Sequence, residues 1–234
     1  MAAVAFEADG HADVSAAIGD LAAPRLPMTR VRGVIFDFGG VLWNMRWDVA
    51  RDLERAHDLP DRVLFETLYH TPTWEAVERG QTSREVWLDE AHRLLEAKVG
   101  RPLPRLHDVW RGSLHVIEEN VALARALRPP YRTAILSNAD ASLRQFLEVP
   151  LGIHDVFDTI VASAEEGIAK PEPAIYRLAA ERLALPIEAC VFVDDSEPNV
   201  LAAIELGMQG VVFRVDRGDD LRMLLARLGV APVR

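Results

Sequence analysis

Four short segments carry side chains suited to phosphate and metal chemistry. They are Phe36-Asp37-Phe38-Gly39-Gly40-Val41-Leu42, Ser137-Asn138, Lys170-Pro171-Glu172-Pro173 and Asp194-Asp195. Each polar group sits at or soon after the end of a short apolar run, and such runs, rich in Val, Ile and Phe, read as buried strands. In an open parallel sheet these strand ends face one crevice. A carboxylate, a hydroxyl, an ammonium and a carboxylate pair would then converge, a set suited to magnesium-assisted attack on a phosphate ester. Asp37, Asp194 and Asp195 together would repel one another without a cation between them. Their oxygens, with a backbone carbonyl, waters and a substrate oxygen, match the octahedral oxygen shell of Mg2+. The Ser137 hydroxyl can donate to a phosphoryl oxygen. The Lys170 ammonium, fixed ahead of a proline-opened helix, would offset repulsion between a carboxylate nucleophile and a phosphate dianion.

The elements that must position these groups follow from the apolar pattern. Val31 to Phe36 reads as a first strand. From about Arg46 to Leu127 the periodicity is helical, with no strand expected. In Thr82 to Lys98, Thr82 and Glu85 have capping-box spacing, Val86, Trp87, Ala91, Leu94 and Leu95 form the apolar stripe, and Gly100 closes the end. After Pro129-Pro130, strands are expected at Thr133–Leu136, Thr159–Ala162, Ala189–Val193 and Gly210–Val215. Helices are expected at Ala174–Leu185, Asn199–Leu206 and Asp219–Leu228. The pattern predicts an α/β fold, a doubly wound parallel-sheet core interrupted by an all-helical insertion. The core is assigned to 31–43 and 128–234, the helical cap to 44–127, and 1–30 to a loosely ordered extension with a short helix around Val14 to Leu21.

The four segments resemble, in order and spacing, the four motifs of the haloacid dehalogenase-like superfamily of hydrolases, with the insertion where one subgroup carries its cap. The resemblance spans roughly residues 30 to 230. It implies that Asp37 is the nucleophile and forms an aspartyl-phosphate. It implies that Phe38 and Gly39 backbone, Ser137, Asn138 and Lys170 bind phosphate, that Lys170 stabilises charge, and that Asp37, the Gly39 carbonyl, Asp194 and Asp195 hold Mg2+. Most phosphatases of that family carry a second Asp two residues after the nucleophile, where this chain has Gly39. A branch similar to sugar-1-phosphate phosphatases shares that Gly, so the expected activity is hydrolysis of a small phosphomonoester, a sugar phosphate in particular. The rival readings are a 2-haloacid dehalogenase, in which the acidic pair would oppose a haloacid carboxylate, and a non-catalytic binding or regulatory protein of the same fold.

Composition narrows the partners. The 234 residues carry a formal net charge of −10, which argues against a nucleic-acid or anionic-membrane surface. No apolar run reaches membrane-spanning length, so the expectation is a cytoplasmic monomer or homodimer acting on a small phosphorylated metabolite. Cys190 is the single cysteine and reads as a small core residue. Trp43, Asn44 and Arg46 follow the Asp37 loop directly and are candidates for substrate specificity. Trp74, Trp87 and Trp110 read as core of the helical insertion.

Overall fold

Strands buried on both faces need apolar residues at every position, and β1 (Gly33–Phe36) has them. In a computed structural model that describes residues 30–233, the elements follow as β2 (Trp43–Asn44), α1 (Trp47–Ala56), α2 (Val63–Tyr69), α3 (Pro72–Val77), α4 (Arg84–Val99), α5 (Leu106–Arg111), β3 (His115–Val116) and α6 (Glu118–Ala126). The chain continues through β4 (Arg132–Ser137), α7 (Leu143–Glu148), β5 (Thr159–Ala162), α8 (Ser163–Glu166), α9 (Pro173–Arg182), β6 (Cys190–Asp194), α10 (Glu197–Glu205), β7 (Gln209–Val212) and α11 (Leu221–Ala226). The sheet is parallel in the order β5-β4-β1-β6-β7. Its order reverses about β1, which is where the crevice of a doubly wound sheet opens.

Alternation along the strands divides the core. Val34, Phe36, Ile135, Val191 and Val193 face one side, against Leu127, Leu147 and Leu225. Ile35, Ala134, Leu136 and Phe192 face the other, against Ile175, Tyr176, Ala179 and Ala203 of α9 and α10. Cys190 lies in that second layer, and burial pushes its thiol up to about 11. The insertion has a third core of its own, built around Leu64, Leu68, Trp87, Leu95, Leu106 and Trp110.

Several expectations shift. The helix expected from Thr82 begins at Arg84, because the Ser83 hydroxyl, not Thr82, accepts from the Val86 amide. Gly100 does end it, at φ 70°. Val86 is 53% exposed and leaves the stripe, while Trp87, Ala91 and Leu95 keep it. A two-residue antiparallel ribbon, β2 with β3, stands where no strand was expected; periodicity has nothing to register in two residues. Helix α6, assigned above to the cap, packs Val121, Leu123 and Ala124 on the sheet instead. The insertion proper is therefore what the ribbon brackets. The last strand stops at Val212 rather than Val215. The last helix starts at Leu221, with Asp220 capping through the Met223 amide. The expected helix over 14–21, and the extension 1–30 apart from Arg30, lie outside the described residues. No helix among the described residues is long and apolar enough to cross a membrane.

Candidate active site

Register alone sets the first pair of groups side by side. Phe36 is opposite Val193 in β6, so Asp37 and Asp194 each follow at equivalent positions on adjacent strands, about 4.8 Å apart in the sheet. Phe36 is also opposite Ile135, which places Ser137 at the level of the loop that begins at Asp37. The loop is tight at Gly40, at φ 78°, where a Cβ would lie 2.3 Å from Asp195 Oδ2. Any other side chain would displace that carboxylate.

Lys170 bridges the acids. Its ammonium is 2.6 Å from Asp194 Oδ2 and 3.0 Å from Asp37 Oδ1, with the lysine side chain 2% exposed. It also lies 5.3 Å from the Phe192 ring centroid. Asp194 is fully buried and accepts further from the Ser196 amide at 2.7 Å and Asn199 Nδ2 at 3.1 Å. One ligand oxygen from each of Asp37, Asp194 and Asp195 falls within a mutual 4.8 Å.

The titration behaviour follows from this crowding. Burial pushes the Asp37 carboxyl up to about 6, with Asp194 adding and Lys170 and Ser137 opposing. Burial pushes Asp195 up to about 7, with Asp37 and Asp194 adding to the shift. For Lys170 burial works against the charge, but Asp194 and Asp37 outweigh it and hold the ammonium protonated. Three carboxylates against one ammonium leave a buried site that favours another cation. The donor set, all hard oxygen, fits Mg2+.

Of the other residues expected here, Ser137 is buried at the end of β4 and lines the cleft with Phe38 and Gly39. Asn138 also lines it, but its amide is engaged. Oδ1 accepts from the Lys170 amide at 2.8 Å, and Nδ2 donates to the Lys170 carbonyl and to Glu78 Oε2, both at 3.0 Å. Asn138 thus holds Lys170 in place, where the sequence had suggested contact with phosphate. Trp43 lines the cleft and stacks on Phe38 with ring centroids 5.7 Å apart. Asn44 and Arg46 do not line it. They face a neighbouring cavity, Asn44 Oδ1 accepting from the Arg46 amide and Arg46 pairing with Asp48 at 2.8 Å.

Sequence reasoning missed Asn199 and Glu78. Asn199 sits in the first turn of α10, five residues after Asp194, a signal that could have been read. Glu78, whose carboxyl burial pushes up to about 7, comes from the far end of α3 and has no local signature. Beside it Arg79 pairs with Glu172 at 2.5 Å, so this turn joins the insertion to the core. Trp74, Trp87 and Trp110, assigned to the insertion's interior, do pack there and also form the wall of the cleft.

Comparison with known proteins bears on this geometry. The family described as haloacid dehalogenase-like hydrolase matches residues 31–207. The chain is 30% identical over 218 residues to drimenol cyclase drtB of Aspergillus calidoustus, covering 86% of this chain but only 37% of that protein. It is 29% identical over 190 residues to sesquiterpene phosphatase astK of Aspergillus oryzae, covering 78% of this chain and 90% of the relative. Its fold is similar to that of the HAD family enzyme bt-2542 of Bacteroides thetaiotaomicron in complex with magnesium and inorganic phosphate. That likeness has a TM-score of 0.63 at 23% identity and covers 83% of this chain and 98% of the other.

Proposed function

The chain belongs to the haloacid dehalogenase-like hydrolases, and from that premise we propose that it is a magnesium-dependent phosphatase that cleaves a phosphomonoester through an aspartyl-phosphate on Asp37. The observation that carries the reading is the convergence of Asp37, Asp194 and Asp195 on Lys170, within 3.0 Å for two of the three. A 2-haloacid dehalogenase would have no use for the acidic pair, and a binding protein no use for a desolvated lysine beside a nucleophile. Relatives whose names include a sesquiterpene phosphatase and a D-ribitol-5-phosphate phosphatase support phosphate ester hydrolysis without agreeing on the alcohol. The sequence expectation of a sugar phosphate therefore stays a proposal about one class of alcohol.

In this mechanism an Asp37 carboxylate oxygen attacks phosphorus, the P–O bond to the alcohol breaks, and the leaving oxygen departs as an alkoxide that takes its proton from solvent. Water then hydrolyses the acyl phosphate and regenerates the carboxylate. Lys170, protonated across the working range, balances charge on the transferring phosphoryl group. Ser137 and the Gly39 amide orient its oxygens, whereas the Phe38 amide, expected to do so too, donates to Asp37 Oδ1 at 2.7 Å. Asp37, Asp195, the Gly39 carbonyl and Asp194 would hold Mg2+, which supplies electrostatic stabilisation of the phosphoryl oxygens and keeps Asp37 ionised. Asp194 has both oxygens engaged by protein donors as well. Gly39 places no acid beside the leaving oxygen. The insertion bracketed by the ribbon closes the cleft and excludes water.

The test is release of phosphate from p-nitrophenyl phosphate by the purified protein. Activity should require Mg2+, vanish in excess chelator, and fall to background in Asp37→Asn. Undiminished turnover in either condition would overturn the nucleophile and metal assignments together.

A further inference from the structure

The wall of the cleft opposite the acids is rich in aromatic carbon. All five tryptophans of the chain line this one cavity of about 810 Å³, a size that takes a drug-sized ligand. Trp47 stacks on Trp110 at 4.7 Å and meets Phe65 edge-on at 5.2 Å. Trp74 meets Trp87 at 4.7 Å and Tyr69 at 4.9 Å. On the core side Trp43 contacts Phe146 at 5.3 Å.

Two of the indole N–H groups are already bonded. Trp87 Nε1 donates to the Leu68 carbonyl at 2.8 Å and Trp110 Nε1 to the Met45 carbonyl at 2.7 Å. Leu88, Leu114 and Met45 fill positions between them. Of the charged side chains on the wall, Arg84 is engaged by Ser142 and Asp140, and Asp108 by Arg105, while Arg111 sits at the end of α5. A polyhydroxyl substrate would thus exchange water for hydrocarbon at several hydroxyls. Each left without a partner costs about fivefold to a hundredfold in affinity. A hydrocarbon group gains instead about fourfold for every methylene taken out of water, which is about 0.8 kcal/mol.

We propose that the ester cleaved here carries a long or bulky hydrocarbon, so that the substrate class is a lipid-like or terpenoid-like alkyl phosphate and not a sugar phosphate. The phosphate lies against Asp37 and Lys170, and the hydrocarbon tail lies in the aromatic chamber beneath the insertion. This proposal rests on the phosphatase reading for the head group and on the chamber alone for the tail.

The experiment is a chain-length series of ethyl, butyl, hexyl, octyl and decyl monophosphate, below their micellar concentrations, with glycerol phosphate and a hexose phosphate as polar comparators. The intact protein with Mg2+ is assayed for kcat/KM, and binding of the same compounds to Asp37→Asn is followed by tryptophan emission, since every tryptophan faces the chamber. Specificity and affinity should rise about fourfold per methylene until the chamber fills, with both polar comparators below butyl phosphate. Leu88→Gln, a half-buried wall position on α4, should flatten the slope. Affinity independent of chain length, or a polar comparator that exceeds decyl phosphate, would overturn the proposal. Binding that rises with chain length while no phosphate is released from these esters or from p-nitrophenyl phosphate would keep the apolar assignment and reject the phosphatase reading.

Discussion

Lys170→Met removes one ammonium while keeping a side chain of similar length, and the structure sets the size of the effect. The lysine side chain is 2% exposed, with its ammonium within 3.0 Å of two carboxylates that are themselves nearly or fully buried. Breaking a buried ion pair by deleting one partner leaves an uncompensated charge and costs about 3–5 kcal/mol. For a domain of this size each kcal/mol moves Tm by about 2–4 °C, so the metal-free variant should melt about 6–20 °C below the parent at pH 7.5. Acid should narrow the gap. Asp37 already has its carboxyl raised to about 6 with Lys170 present, and without the ammonium it protonates still more readily, which neutralises the orphaned charge. A saturating divalent cation should narrow the gap too, because it substitutes for the missing charge. Turnover will not recover with stability, since loss of an electrostatic stabiliser of the transition state costs about 10²–10³ in kcat. The assays are thermal unfolding at pH 7.5 and pH 5.5, with and without Mg2+, and kcat on an aryl phosphate. A variant as stable as the parent without metal at pH 7.5, or one within tenfold of its kcat, would refute the charge-balance argument.

Magnesium at a hundred times its dissociation constant should stabilise the parent by about 2.7 kcal/mol, and Asp195→Asn should remove most of that gain; an equal gain in both would exclude Asp195 from the metal site. Gly39→Asp is open to construction because a Cβ there meets only Met45 Sδ at an ordinary 3.5 Å. Across phosphates of graded leaving-group acidity the parent should show a steep rate dependence and Gly39→Asp a shallower one, whereas a flat series in the parent would show that another group already donates the proton. His107 is 2% exposed, with Nε2 3.0 Å from the Thr67 hydroxyl, and burial pushes its imidazole down to about 4. Above pH 6.5 it is neutral in both folded and unfolded chains. As pH falls toward 4 only the unfolded chain takes the proton, so stability declines by about 2 kcal/mol by pH 5 from this residue. Denaturant titrations at pH 7.5 and pH 5 should show a smaller acid loss in His107→Gln than in the parent, and identical losses would disprove it.

The order of elements and the four polar strand ends were legible in the sequence because both are local. Apolar runs of four to six residues, a proline at a helix start and a carboxylate after a strand require no knowledge of distant neighbours. Asp37, Ser137, Lys170 and the Asp194-Asp195 pair could be named for that reason, and a parallel register then brings Asp37 and Asp194 together without further choice. The ribbon of β2 with β3 was not legible, since its two-residue strands exist only by pairing across about seventy residues of chain. The assignment of α6 to the sheet was equally hidden, because an amphipathic stripe does not say which surface it will cover. Asn138 shows the same limit at the site. The family resemblance implied a ligand for phosphate there, yet the approach of the Lys170 backbone and of Glu78, 60 residues away, engages its amide. Trp74, Trp87 and Trp110 are the largest instance. Spacing along helices marks them as interior, but whether an interior face meets another helix or encloses a chamber depends on how the insertion sits over the sheet. That placement depends on contacts such as Arg79 with Glu172, 93 residues apart in sequence, and only the tertiary structure brings them together.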